Sequence, residues 1–158
     1  MRKIIYGLGI FAAIVIVGVG IGIGYIAYVG AGQDRQAKQY VDDAVPAITS
    51  NWSVDELRRR ATPQLLKSVK PEDLQTMFEW FATLGPLIDY QGSKGEANIS
   101  AMIGSGTVIS AGYLAHATFA KGAAEIQIGL LKVDGAWQIN AFRVNSPMLI
   151  TNAMGRKT

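Results

Sequence analysis

The 158-residue chain contains no cysteine. That one absence excludes disulfides, thiolate metal ligands and a cysteine nucleophile together. It leaves the compartment open, because a cysteine-free domain can fold on either side of a membrane. Histidine occurs once, at His116, and the acids are scattered. No metal cluster, second catalytic carboxylate or nucleophile–base pair can be assembled from such spacing. Charge is scarce as well: 17% of residues are Asp, Glu, Lys or Arg, and none of them falls between Ile4 and Gly32. A surplus of positive charge is missing from the remainder. Arg2 and Lys3 precede the apolar run, so 13 Lys and Arg face 12 Asp and Glu over residues 33–158. A nucleic-acid surface needs a basic stripe to neutralise phosphates, so nucleic acid is excluded as a partner. The dense run Arg58-Arg59-Arg60 does not supply one. Successive helical residues point about 100° apart, so these three form no flat patch; they read as a solvated helix face, the alternative being a contact with lipid headgroups or a partner.

What the chain does have is concentrated at its start. The uncharged run Ile4–Val29 is 26 residues long. As a helix it spans about 39 Å, enough to cross a hydrocarbon core of roughly 30 Å with tilt or overhang. Tyr6 near one end and Tyr25 and Tyr28 near the other suit the membrane interface. The competing reading is a secretory signal peptide, with Arg2-Lys3 ahead and Gly30-Ala31-Gly32 behind. The apolar core of such a peptide runs only about 7–15 residues, so the segment reads as an uncleaved anchor. Arg2, Lys3 and the terminal amine precede it, whereas Arg35 and Lys38 follow later. The positive-inside bias therefore favours N-in, with the following domain outside: a single-pass protein of the bacterial inner membrane with its C-terminal domain in the periplasm.

Gly18, Gly20, Gly22 and Gly24 form two overlapping small-xxx-small pairs within this run. Glycine at i and i+4 opens a groove in which another backbone can approach closely. Each glycine costs about 1 kcal/mol of helix propensity, so four in seven residues favour a helix–helix contact over incidental use. Two motif matches are rejected. Gly7-Leu-Gly9-Ile-Phe-Ala12 fits G-x-G-x-x-G/A, but it follows no strand and opens no βαβ unit. A type IV pilin start is also excluded, because such pilins resemble a short leader with an early Glu, and no acidic residue precedes Asp34.

Beyond the membrane the apolar residues take helical spacing. Ala37, Tyr40, Val41, Ala44, Val45 and Ile48 mark an amphipathic helix continuing from the anchor, which Pro46 should kink or end. Ser53-Val-Asp-Glu56 is a capping box opening a short helix to about Arg60. Thr62-Pro63 caps another, with Leu65, Leu66 and Val69 inward. Pro71-Glu72-Asp73 opens the clearest helix, whose Leu74, Met77, Phe78, Phe81 and Leu84 form a core stripe ended by Gly85-Pro86. From Leu87 the period drops to two. Ile99, Ala101 and Ile103 alternate with polar positions, and Gly104-Ser-Gly106 reads as a turn. Tyr113, Ala115, Ala117 and Phe119 share one strand face, with Lys121-Gly122 after them. Ile126, Ile128 and Leu130 alternate next. Asp134-Gly135 is a hairpin turn, followed by Trp137, Ile139 and Ala141. Helices followed by an antiparallel meander predict an α+β fold with short helices packed on one sheet face. The expected organisation is an anchor over residues 1–32, a connecting helix over 33–50, the α+β domain over 51–147 and a tail over 148–158.

The order of short helices, the strand from Tyr113 to Phe119, Ala124-Glu-Ile-Gln-Ile, Val133-Asp-Gly-Ala-Trp-Gln-Ile and Phe142-Arg-Val-Asn-Ser resembles the nuclear-transport-factor-2-like (cystatin-like) superfamily over about residues 35–147. The resemblance implies a cone-like domain. It is nearly silent on function, since such domains include isomerases, dehydratases, bare ligand-binding cones and assembly subunits. Membrane-anchored versions resembling this layout occur in periplasmic parts of secretion and transport machines. Enzymes of this fold use a carboxylate, a His or paired Tyr inside the cone, which makes Asp89, Tyr113 and His116 the possible pocket residues. His116, however, alternates with Leu114 and Thr118, opposite the Tyr113/Phe119 face, and Asp89 and Tyr90 point to opposite faces. The expectation is a non-catalytic accessory or assembly subunit of a larger membrane complex, with no cofactor and no metal. It would contact the bilayer and other transmembrane subunits, a hetero-complex being favoured and a homo-oligomer possible. The alternative is an anchored small-ligand-binding domain or an isomerase/dehydratase-like enzyme using the cone pocket.

Overall fold

A computed structural model describes residues 31–102 and 106–155. The chain divides into two compact units, Met1–Gln33 and Asp34–Thr158, and the second carries the sheet and its helices. The expected anchor Ile4–Val29, with Gly18, Gly20, Gly22 and Gly24, lies outside the described residues, as does most of the Gly104-Ser-Gly106 turn. Among the described residues no helix is long and apolar enough to cross a membrane.

The first helix, α1, covers residues 31–49. Its stripe of Ala37, Val41, Ala44, Val45 and Ile48 is fully buried. Of the two outcomes expected at Pro46, an end to the helix does not occur. A helix-interior proline costs about 3 kcal/mol. Burying Val41, Val45 and Ile48 on either side of it contributes roughly 1.5–3 kcal/mol each, so packing outweighs the break. For the same reason α1 is part of the α+β core and not merely a connector to it.

The helix α2, Val54–Arg60, starts at the predicted cap, where Ser53 Oγ accepts from the Glu56 amide at 3.3 Å. Only half of the capping box forms. The Ser53 amide donates to Ile48 O, and the Glu56 carboxylate turns to Arg59 and Arg60 instead. The next helix, α3, Pro63–Ser68, is capped by Thr62 Oγ1, which accepts from the Leu65 amide. It buries no residue fully, and Leu66 is exposed rather than inward. The longer α4, Pro71–Phe81, runs into a 3₁₀ turn over Ala82–Leu84. Its Leu74, Phe78 and Phe81 are buried together with Leu84, whereas Met77 is 39% exposed. Gly85 closes this segment at φ +81°, and its carbonyl accepts from Trp52 Nε1 at 2.9 Å. The Trp52 ring packs 4.9 Å from Phe119 and 5.7 Å from Phe81, tying the helical layer to the sheet.

Four antiparallel strands follow in meander order: β1 Leu87–Met102, β2 Gly106–Phe119, β3 Gly122–Val133 and β4 Ala136–Asn145. The β3–β4 turn is Asp134-Gly135, with both residues at positive φ as a two-residue type I′ hairpin requires. Alternation puts Tyr113, Ala115, Ala117, Phe119, Ala124, Ile126, Ile128, Leu130, Trp137 and Ile139 on one buried face against the helices. Ala141 departs from this expectation. A register shift opposite Gly129/Leu130 advances β4 by one residue, so Ala141 is exposed and Phe142 packs against the core. Residues 148–158, read from sequence as a tail, are helical in their described part. The closing helix α5, Pro147–Gly155, buries Leu149. The fold is therefore α+β, with short helices on one face of a four-stranded antiparallel sheet.

Candidate functional site

The helix-covered face of the sheet is held by a polar seam under α1. Asp34, Lys38 and Asp42 recur every four residues, so all three project from one side of the helix. Asp42 Oδ1 accepts from Tyr90 Oη and from Ser93 Oγ, each at 2.7 Å, while Lys38 Nζ donates to Oδ2 at 2.6 Å. Two turns earlier, Asp34 Oδ1 accepts from Tyr113 Oη at 2.6 Å and from the Ala97 amide at 3.1 Å. The strand residues carrying these donors lie 48 to 79 positions away in sequence. No local pattern announces them, since Asp34, Lys38 and Asp42 stand among Arg35, Gln36, Gln39 and Asp43 on a helix with many polar residues.

The electrostatics of this seam follow from its bonding. Burial alone would push the Asp42 carboxyl up, but the hydrogen bonds from Lys38, Ser93 and Tyr90 together outweigh it and hold the group below the usual carboxylate range. The Tyr90 phenol moves upward, first through burial and then through its bond to the Asp42 carboxylate. Tyr113 moves the same way through burial and Asp34. General acid–base chemistry needs groups tuned toward neutrality. Asp42, Tyr90 and Tyr113 are displaced away from it, which suits a fixed structural seam.

Space on this face is filled by side chains. A cavity of about 50 Å³ lies among Leu57, Leu65, Val69, Phe78 and Phe142, and its lining is wholly apolar. The roomier hollows lie on the opposite, helix-free face. Strand register places Glu96, Gly112, Gly129 and Ala141 side by side there across all four strands, with Lys94, Leu114, Gln127 and Arg143 as the next row. With no side chain on Gly112 or Gly129, the first row is a shallow trough of about 470 Å³ beside Lys94 and Arg143. An added Cβ at Gly112 would meet nothing within 4 Å.

The three pocket residues expected from sequence do not converge. Tyr113 is 4% exposed on the helix-covered face and bonded to Asp34. His116 lies on the open face, opposite Glu125 of β3. Its Nδ1 is 3.8 Å from Glu125 Oε1, an ion pair only when the imidazole is protonated. Asp89 is exposed at a register shift near the start of β1. A hollow of about 410 Å³ adjoins His116, Glu125, Gln91 and Asn145 but includes neither Tyr113 nor Asp89. Among the described residues no three His, Asp or Glu side chains group as a metal site would require. Sequence reasoning missed Asp42, Tyr90 and Ser93, which with Asp34 and Tyr113 make the most connected polar group on the sheet.

Comparison of the chain with protein-family models, curated proteins and solved structures gives no match.

Proposed function

We propose that the chain is a non-catalytic accessory or assembly subunit of a larger membrane protein complex. On this reading the α+β domain is a nuclear-transport-factor-2-like cone, and it stands in the periplasm on a single N-in helix crossing the bacterial inner membrane. Docking uses the Gly18, Gly20, Gly22 and Gly24 face of that helix together with the domain, a different membrane subunit being favoured over a second copy as the partner.

The observation that carries the reading is the filled helix-covered face. In a ligand-binding cone that face would be hollow and lined with convergent polar groups. Here Trp52, Phe78, Phe81 and Phe119 occupy it, and the Tyr90, Ser93 and Tyr113 hydroxyls are committed to carboxylates of α1. What the domain presents outward is a helix-free sheet face with a trough at Gly112, Gly129 and Ala141 beside Lys94, Leu114, Gln127 and Arg143, which suits contact with a macromolecule. The alternative, a small-ligand-binding domain or isomerase/dehydratase-like enzyme, draws no support from such packing. The superfamily reading is supported by element order: short helices, then a four-stranded antiparallel meander with Asp134-Gly135-Ala136-Trp137 at its last hairpin.

Purification of the full chain from native membranes in mild detergent tests the proposal. Co-elution with other membrane subunits in fixed stoichiometry is the expected result. A lone chain, or one carrying a bound small molecule, would overturn it.

A further inference from the structure

Strand pairing orders the helix-free face of the sheet into rows. One row runs Glu96, Gly112, Gly129 and Ala141 from β1 to β4, and the next runs Lys94, Leu114, Gln127 and Arg143. Rows lie about 7 Å apart along the strands, and neighbours within a row about 5 Å apart. Lys94, Glu96 and Arg143 are exposed, and none of them has an ion-pair or hydrogen-bond partner among the described residues. On β1, then, an acid and a base occupy neighbouring places on one face. On β2 a bare glycine and a half-buried leucine do the same.

This pattern is complementary to itself. A two-fold axis laid across the strands, midway between the two rows, exchanges them. It sets Glu96 of one copy over Lys94 of the other, and Lys94 over Glu96 in return. Leu114 of each copy then stands over Gly112 of the other, where an added Cβ meets nothing within 4 Å. Gln127 lies over Gly129, and Arg143 over Ala141. One row farther out, His116 and Glu125 fall over Ser110 and Leu131, so no like charges meet. The other axis in the plane, along the strands, fails on both counts. It sets Lys94 over Arg143 and leaves Gly112 facing Gly129 across an unfilled gap. A wholly acidic partner fits less well than a second copy, because Glu96 stands in line with the floor of the same trough.

We propose that this face packs on the same face of a second copy in the arrangement that exchanges the two rows, so that the subunit enters its complex as a pair. The pairing goes beyond the docking of the anchor, which it leaves to a different subunit. Sheets packed face to face stand about 10 Å apart, and the glycines at 112 and 129 leave room for the opposing Leu114 and Gln127. Four rows on four strands cover about 27 by 19 Å, or roughly 500 Å² of each copy and 1,000 Å² in all. That is the low end of a specific interface, so the pair forms reversibly and its strength depends on the two Lys94–Glu96 contacts being matched.

A charge swap tests the arrangement directly. The full chain, purified in detergent free of other proteins, is followed by sedimentation over a concentration series. The expected result is a particle of two chains that dissociates on dilution. Lys94→Glu alone, or Glu96→Lys alone, opposes like charges and should weaken pairing about tenfold or more. The double variant carrying both changes restores each contact and should return to within about threefold of wild type. Arg143→Glu, which faces Ala141, should also stay within about threefold. All three positions are exposed, so circular dichroism melts should match wild type. Lys94→Gln and Glu96→Gln, each expected to weaken pairing about threefold, repeat the measurement should a reversal fail to fold. A single chain at every concentration overturns the proposal. So does a dimer indifferent to the changes at 94 and 96, which is then held elsewhere. Weakening that the double swap does not repair overturns the second copy as occupant. None of these outcomes touches co-elution with other subunits from native membranes, which stands or falls by its own measurement.

Discussion

Replacing Asp42 by alanine removes one side chain that accepts from three donors. The bonds from Tyr90 and Ser93 join α1 to β1, and Ser93 is 4% exposed. A hydrogen bond to a charged group contributes about 1.5–3 kcal/mol, and a buried donor left unpaired retains its desolvation penalty. The Asp42 side chain is 32% exposed, so the low end applies to each, or about 3 kcal/mol for the two. The exposed Lys38 pair adds no more than about 0.5 kcal/mol. For a domain of this size a loss near 3 kcal/mol lowers Tm by roughly 10 °C. The assay is thermal unfolding of the full chain in detergent followed by circular dichroism, with Asp42→Asn expected between Asp42→Ala and wild type. A double-mutant cycle with Tyr90→Phe should show strong coupling, because the second change removes a donor whose acceptor is already gone. Equal Tm for Asp42→Ala and wild type, or full additivity with Tyr90→Phe, would refute the assignment of the seam as the clamp of α1. The pH dependence carries a definite sign. Because the folded carboxyl lies below its unfolded value, the stabilisation is complete above about pH 4 and disappears as pH falls through the lower folded value.

Two further predictions concern the same sheet. A Cβ at Gly95 would stand 2.0 Å from Gly112 O and 2.7 Å from Tyr113 Cα, so Gly95→Ala should cost about 3 kcal/mol or more by forcing the strands apart. Gly112→Ala, opening onto unoccupied space, should fall within about 0.5 kcal/mol of wild type in the same denaturation experiment. The Tyr90 and Tyr113 phenols, held above their usual range, stabilise the fold below about pH 10, and that contribution is lost as pH rises through their folded values. Ultraviolet phenolate titration should show both ionising late, with unfolding, and Tyr90→Phe and Tyr113→Phe should each delete one late step.

Local pattern made most of the elements legible. The period-two run from Tyr113 to Phe119 and the alternation of Ile126, Ile128 and Leu130 carry their own burial, because β geometry fixes which side each residue faces. Caps at Ser53 and Thr62 and the Asp134-Gly135 turn were equally local. What escaped depends on tertiary context. Pro46 stays inside α1 because buried neighbours hold the helix on both sides of it. Ala141 and Phe142 exchange faces through a register shift that no periodicity in β4 encodes. Leu66 and Met77 fit apolar stripes yet remain exposed, since short helices do not present a whole stripe to one sheet. The polar seam was invisible for another reason: Asp42, Tyr90 and Ser93 look like ordinary surface residues until the fold brings them together. Tyr113 is parted from His116 by strand alternation, and Asp89 pairs with Thr118 near the start of β1 rather than standing beside either of them.

The central claim is docking through a glycine-faced anchor, and its most direct test is the mass of the detergent-solubilised particle. Wild type is compared with a variant in which Gly18, Gly20, Gly22 and Gly24 are all leucine, a change that keeps the span apolar while filling the groove. Docking through this face predicts a larger particle of fixed stoichiometry for wild type and its dissociation in the variant. Identical particles for both chains would contradict it, reducing the helix to a tether.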